Sequence, residues 1–540
     1  LEFAWEREGG QPAASRLQTQ GFASPQQAGG QIPAEGDDFY ALGAVIVEMC
    51  SFMASGLGLN PAAVLVTTER MLDEVGMPRV LVDVARGLLH PDPGCRWDGA
   101  EVRRALARVP VSAIPWSARE PGRDLSAESP GLVQREVEAE AGEVCGEVCA
   151  FLEASSDPSG EDCLWPSSPQ AFRTNPVSIL FGACGPLEYV RRVRGACPGT
   201  WLDWTERHAA VERTPPGFAL GLAGVARTLA ANGRTDAALR LVRTALDSPL
   251  LEESPDLYYG AAGVGMAALE IHAATGDASL LQSAVDVAAA VEKQARQGTR
   301  GLAWPSPEGT VHCGLAMGSS GIALFLTYLG ARTGEERYWA LARRALAFDL
   351  SQVRNRGAYA HLPDAVGPHK TFWSPHVSFG TAGLVSAAVR LYACTGEREL
   401  LAEAERLGAA LTFRWTNKLW QDMGYAGWGE TLLDLHAATG NPVYRGHALR
   451  MAEIILPHRV HTRHGTAFPA YGLNRVASDF AMGTSGISLF LHRLTTSATD
   501  RAFFPDHLLP GRARPAREPR RLAVMLRDRD VRGALVVAAD

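Results

Sequence analysis

Three side chains able to move a proton stand beside spaced glycine pairs. Tyr258, Ser378 and Asp422 each lie two residues before the first glycine of a Gly-x-x-Gly. The matching positions before the other pairs are Leu180, Ala219, Ala316 and Ala481, all apolar. His376 lies two residues ahead of Ser378, and Tyr425 directly follows Gly424. Histidine changes charge near neutral pH and a carboxylate can take a proton, so acid–base chemistry is the first reading. His361, His369 and His376 share one long connection, and His458, His461 and His464 share another. His312 precedes a further pair. Other chemistries lack their residues. Glycoside hydrolysis needs two facing carboxylates, and Asp422, Glu430 and Asp479 show no close pairing. No DDxxD or CxxC occurs, and the nine cysteines are sparse and odd in number, which favours reduced thiols. Cys145 and Cys149, one helical turn apart, read as a packed helix face, and Cys313 as a buried thiol.

The elements that must position these residues repeat. Gly-x-x-Gly opens an apolar segment seven times, at 182, 221, 260, 318, 380, 424 and 483. In four repeats a second signal, Gly276, Gly334, Gly396 or Gly440, falls 13 residues after the second glycine of the pair. A fixed offset of this kind marks one repeated unit. "VGMAALEIHAATGD" predicts a helix apolar on nearly all sides, ended by a glycine cap. "ASLLQSAVDVAAAVEKQA" predicts an amphipathic helix. Seven such pairs imply an all-α toroid with an inner and an outer ring. Every connection entering an inner helix then lies on one face. The two longest, 352–379 and 456–482, are expected to build the binding face.

Length and composition set the frame. The chain has 540 residues, too many for one core, with 46% hydrophobic residues, 21% charged residues and a net charge of −7. Nothing points to nucleic acid. The uncharged run 313–331 reads as a buried helix rather than a membrane span, and no signal peptide is visible, so a cytoplasmic location is expected. The basic run "GRARPAREPRR" reads as a solvated tail. The expected divisions are a mainly helical unit at 1–108, a Pro/Ser-rich linker with one helix at 109–176, the toroid at 177–495 and a Pro/Arg-rich tail at 496–540. The chain begins with Leu1, which suggests a portion of a longer protein.

Seven Gly-x-x-Gly helix pairs over about 177–495 resemble the lanthionine synthetase C-like family. The resemblance implies an α/α toroid that adds peptide cysteine thiols to dehydroalanine or dehydrobutyrine of a ribosomal precursor peptide. Zinc-bearing members hold the metal through two cysteines and a histidine. The corresponding positions here are Ser378, Asp422 and Met423, a poor zinc set, and a further family histidine is replaced by Met317. The resemblance therefore implies the zinc-free, class III branch and no metal for the toroid. Of the candidate catalytic residues, His376 is then the expected base or acid, with Asp422 and Tyr425 lining its pocket, and Tyr258, His312 and Ser378 line the substrate site. The first part resembles the C-terminal lobe of a protein kinase. "GFASPQQ" resembles the end of an activation segment. "DDFYALG" places Asp38 at the buried aspartate, and "DPGCR" supplies Arg96, with Gln26 where kinases have its glutamate partner. A kinase-like lobe fused to such a toroid resembles the lanthipeptide synthetases, which make lanthionine or labionin rings. NTP and Mg²⁺ would serve only a complete kinase domain. A non-catalytic peptide-binding toroid and an α/α-toroid glycosidase are the competing readings.

Overall fold

A computed structural model describes residues 19–109, 131–209, 214–298, 300–356, 359–368, 371–412 and 416–510. The basic run at 511–521, residues 110–130 of the linker and His369 lie outside the described residues.

The first helices are α1 (Pro25–Ala28), α2 (Glu35–Ser51), α3 (Pro61–Val75), α4 (Val80–Leu88) and α5 (Gly99–Leu106), with α2, α3 and α4 packed on one another and α5 on α4. Ser24 caps α1, and its hydroxyl donates to Asp37 at 2.6 Å. Asp37 also accepts the Ala34 N–H and faces Arg96 at 3.6 Å. The buried aspartate is therefore Asp37, while Asp38 is exposed, a correction of one residue in register. A helix turns about 100° per residue, so only one of two adjacent aspartates can face inward. Arg96 donates to Gln26 Oε1 at 2.8 Å and to the Gly36 carbonyl at 2.7 Å, the neutral pairing that the sequence implies.

A long helix, α6 (Gly131–Ser155), and a short turn, α7 (Gln170–Arg173), lead into the toroid. Its inner helices are α8 (Cys184–Arg194), α10 (Leu222–Ala231), α12 (Ala261–Thr275), α14 (Ser319–Thr333), α16 (Thr381–Thr395), α18 (Tyr425–Thr439) and α20 (Thr484–Thr496). Each packs on the next, and α20 packs on α8, which closes the ring. Between them run α9 (Gly199–Arg207), α11 (Thr235–Leu246), α13 (Ala278–Gln294), α15 (Glu336–Gln352), α17 (Arg398–Gly408) and α19 (Pro442–Ile455). From α11 onward each of these packs on the inner helix before it. The sequence periods explain the division. Helix α14 is buried without a break from Ser319 to Gly330, whereas α13 buries only Leu280, Ala284, Val287, Ala288 and Val291, one face. Gly276, Gly334, Gly396 and Gly440 end their helices at φ 69° to 77°, the left-handed cap expected from sequence. Helix α6 takes the outer place beside α20: it packs on α8, α19 and α20 and buries Cys145 and Cys149 there. An N-terminal helix thus completes the seventh pair begun by the last inner helix.

The connections on the entering face carry the only strands among the described residues. One long connection holds a three-stranded antiparallel sheet of Arg354–Arg356, Tyr359–Pro363 and Trp373–Ser374. The other holds a hairpin of Val460–Thr462 and Gly465–Ala467. That hairpin lies against α6, and its approach is tied to the first unit: Asn60 donates to the carbonyls of Pro457 and Arg459, and His458 bonds Thr67 at 2.8 Å. At the opposite end, residues 501–509, expected in the tail, turn back and fill the lumen.

Both glycines of each pair are required by close approach. A Cβ on Gly427 would lie 2.0 Å from the Gln421 carbonyl oxygen, and one on Gly263 would lie 2.1 Å from that of Leu257. The connection folds back against the first turn of the helix that it enters, so no side chain fits. Gly427→Ala should cost ~2 kcal/mol or more and lower Tm by about 3 °C or more. Gly446→Ala, with open space around it in α19, should be neutral or stabilising by up to ~1 kcal/mol. Thermal unfolding of the two variants checks the contrast.

Candidate active site

The seven residues two places before the first glycines form a backbone ring around the toroid's mouth. The Leu180 N–H donates to the Ala219 carbonyl at 3.2 Å, Ala219 to Tyr258 at 3.2 Å, Tyr258 to Ala316 at 3.1 Å and Ala316 to Ser378 at 2.8 Å. Val377, beside Ser378, donates to Asp422 at 3.0 Å, Asp422 to Ala481 at 3.1 Å and Ala481 back to Leu180 at 2.8 Å. The ring is closed. It holds side chains far apart in sequence at fixed places around one opening.

Three of those side chains meet. Ser378 Oγ donates to Asp422 Oδ1. The Ser378 hydrogen is thereby committed, so the Tyr258 hydroxyl, 2.5 Å away, donates to Ser378 Oγ. Tyr258 can span to Ser378 because the intervening ring residue is Ala316. Burial raises the Asp422 carboxyl above its usual range, opposed by the Ser378 hydrogen bond and by Lys418. Burial and then the Asp422 charge push the Tyr258 phenol well up, so it stays a neutral donor. His376 is half-buried, with Nε2 3.5 Å from Lys418 Nζ. Burial first and Lys418 second hold its imidazole down at about 3. Burial likewise lowers the Lys418 ammonium, opposed by Asp422. Sequence reasoning missed Lys418. Its signal is rarity: it is one of three lysines in the chain.

The cluster opens on a recess along the toroid axis, of about 520 Å³ counted with its mouth. Its wall includes all seven residues one place earlier in each repeat: Ile179, Phe218, Leu257, Leu315, Val377, Gln421 and Phe480. Arg501, Ala502, Phe503 and Phe504 form the floor. That floor is pinned from below. Arg501 donates to Ser386 Oγ at 2.8 Å, and Arg390 joins Asp434 at 2.9 Å and Asp506 at 2.7 Å. Arg493 adds Asp434 at 2.8 Å and Glu430 at 2.5 Å. Burial pushes the Asp434 carboxyl up, but Arg390, Arg493 and Arg501 together hold it far below the carboxylate range.

The other sequence candidates are placed elsewhere. Tyr425 is fully buried against Trp428, and its hydroxyl accepts the Thr416 N–H at 3.2 Å. His312 sits on a two-stranded rim sheet, paired with Ala365. His458 serves the contact with Thr67. The remaining carboxylates do not pair with Asp422: Glu430 is held by Arg493, and Asp479 accepts from Ser168 and from the Met482 N–H. Zinc does not fit the family positions. Ser378 and Asp422 satisfy each other by a hydrogen bond, and Met423 offers only a thioether. Among the described residues, no group of three or more His, Cys, Asp or Glu is placed to hold a metal. Among them too, no helix is long and apolar enough to cross a membrane.

A closed ring of seven inner helices with a polar cluster at its mouth defines an α/α toroid whose site lies on the axis. Residues 209–509 match the family described as lanthionine synthetase C-like protein, and the chain belongs to that family. A probable SapB synthase of Streptomyces coelicolor is 29% identical over an alignment of 356 residues that covers 63% of this chain. The matched stretch spans 37% of the length of that curated relative. Among solved structures, nisin cyclase aligns over 68% of this chain and 95% of its own, at 13% identity and a TM-score of 0.46. The Lin0763 protein of Listeria innocua aligns over 66% and 97%, at 14% identity and 0.43. A GH76A alpha-1,6-mannanase of Salegentibacter sp. HEL1_6 aligns over 66% and 99%, at 14% identity and 0.42.

The histidine environments make a pH prediction. His376 and His458 are depressed to about 3 and about 4, below the unfolded value near 6.5. The unfolded chain then binds more protons, so stability is complete above about pH 6.5 and is lost as pH falls toward 4. Tm should fall over that window, and His376 NMR signals should not titrate between pH 5 and 8. A His376 midpoint near 6.5 would contradict the burial.

Proposed function

We propose that this chain closes thioether rings in a lanthipeptide precursor, adding a cysteine thiol to dehydroalanine or dehydrobutyrine without zinc. The observation that carries this is the hydrogen-bonded set Tyr258–Ser378–Asp422 at the mouth, in the place where the sequence resemblance puts a zinc site. Family membership supports the peptide substrate. So does the entering face, where the exposed aromatics Phe172, Tyr259, Phe372 and Tyr471 all lie in connections leading to inner helices.

In this reading Asp422 is the base. Its carboxylate takes the thiol proton, sulfur bonds to the alkene Cβ, and the π pair moves onto Cα and the neighbouring carbonyl oxygen. Asp422 then returns the proton to Cα. Its raised pKa suits both halves of that exchange. Ser378 and Tyr258 fix the carboxylate, and the Lys418 ammonium offsets the charge that develops on the carbonyl. His376, neutral at working pH, positions Lys418. Tyr425 has no part in the step.

We further propose that residues 19–108 are part of a kinase-like lobe of the class III type. The Arg96–Gln26 contact and the buried Asp37 support this. The nucleotide and Mg²⁺ would belong to a complete kinase domain.

Ring closure in a peptide with one cysteine and one dehydroalanine tests the cyclase reading. Addition leaves the mass unchanged, so loss of alkylatable thiol is the readout. Asp422→Asn should lower kcat by about 100-fold or more. Ser378→Ala and Tyr258→Phe should lower it by about 10-fold, with little change in KM. Tyr425→Phe should stay within about twofold. An Asp422→Asn enzyme with the parent rate overturns the assignment.

A further inference from the structure

Of the seven wall residues contributed one per repeat, six are apolar and one is an amide. Ile179, Phe218, Leu257, Leu315, Val377 and Phe480 pack their apolar side chains around the axis, and Gln421 alone is polar. Gln421 is 2% exposed, and its Oε1 is buried with no hydrogen-bond partner. Leaving such an acceptor unmade costs ~1–3 kcal/mol, and folded proteins keep few of them. Gln421 lies in the wall of a recess large enough for a side chain, next in the chain to the Asp422 carboxylate. The surroundings say what would satisfy it. Phe218, Phe480 and Phe503 supply aromatic surface, with Phe480 and Phe503 edge to face at 5.0 Å. Met266 and Leu324, from the second turns of α12 and α14, complete the apolar wall. The one charge in the floor, Arg501, is already committed to Ser386 and Asp434.

We propose that the axial recess is a specificity pocket for one apolar side chain, leucine-sized or aromatic, of the peptide being cyclised. The backbone N–H of that residue donates to Gln421 Oε1. The pocket places the residue directly beside Asp422, so an apolar neighbour of the reacting pair sets which thiol is presented. Acidic side chains are rejected by the adjacent carboxylate and by the apolar wall. The inference rests on the cyclase reading for the identity of the peptide, but binding here needs no ring chemistry.

The test uses the 540-residue chain and capped amino acids that carry neither thiol nor dehydroalanine. Saturation-transfer NMR and calorimetry compare N-acetyl-leucine methylamide, its phenylalanine and aspartate counterparts, and a leucine probe methylated at its own nitrogen. The leucine and phenylalanine probes should compete for one saturable site, and the aspartate probe should not enter it. Methylating the nitrogen, or Gln421→Leu in the protein, should weaken leucine binding by about 10-fold. Ala219→Trp, which fills the recess, should abolish it. Equal binding of the leucine and aspartate probes, no saturable site, or full binding of the N-methylated probe overturns the inference. The N-methyl probe needs no variant, so a failure of Gln421→Leu to fold does not shelter the claim. If the probes bind but no ring closes, the pocket stands and the cyclase assignment falls. If rings close and the probes do not bind, the pocket alone falls.

Discussion

The closed ring of backbone hydrogen bonds at the mouth is the constraint on which the rest depends. It runs through Leu180, Ala219, Tyr258, Ala316, the Val377–Ser378 step, Asp422 and Ala481 and returns to Leu180. For seven connections to bond in a circle, each must turn back over the first turn of its own inner helix. That turn leaves no room for a Cβ at either glycine of the pair. The glycines are therefore consequences of the ring, and say nothing by themselves about chemistry. The ring also explains how residues 120 positions apart, Tyr258 and Ser378, come to share a hydrogen bond. Backbone pairing fixes their Cα positions, and the small Ala316 between them leaves the path open.

The far end of the lumen is closed by a different force. Arg501, Phe503, Phe504 and Asp506 insert among inner helices that present charged and polar side chains at this depth. Arg390, Arg493 and Arg501 balance Glu430, Asp434 and Asp506, with the guanidiniums of Arg390 and Arg501 also over the Phe504 ring. Buried ion networks of this kind are weak sources of net stability, because desolvation offsets attraction, but an arrangement that loses one partner leaves a buried charge unpaired. Here the intact network sets the depth of the recess. The mouth is thus ordered by main chain, and the floor by paired charge.

The repeat was legible from the sequence because it has a main-chain cause. Glycine spacing and the 13-residue offset to the cap reported the inner helices and the seven ring positions, including Tyr258, Ser378 and Asp422. Side-chain direction was less legible. Tyr425 opens its helix one residue after Gly424, where the helical turn sends the ring into the core, towards Trp428. Asp37 rather than Asp38 is buried for the same angular reason. The histidines drew attention to long connections, yet His458 serves the contact with Thr67, nearly 400 residues earlier. Lys418 carries no such positional signal, because it stands six residues before Gly424, outside the two-residue offset that marks the ring. The lumen plug was overlooked because the tail's Pro/Arg composition begins just beyond it. The apolar run "RAFFPDHLL" was the available signal.

The central claim is that hydrogen-bonded protein groups, rather than a metal, carry the proton in ring closure. Serine in place of a thiolate ligand does not leave a gap here. It joins Tyr258 to Asp422 and completes a neutral-donor-to-carboxylate chain. Thiol loss from a cysteine–dehydroalanine peptide, followed with and without exhaustive chelation and with zinc added back, tests this most directly. The account predicts a rate well above buffer that neither chelator nor zinc changes. Abolition by chelation with restoration by zinc would contradict it.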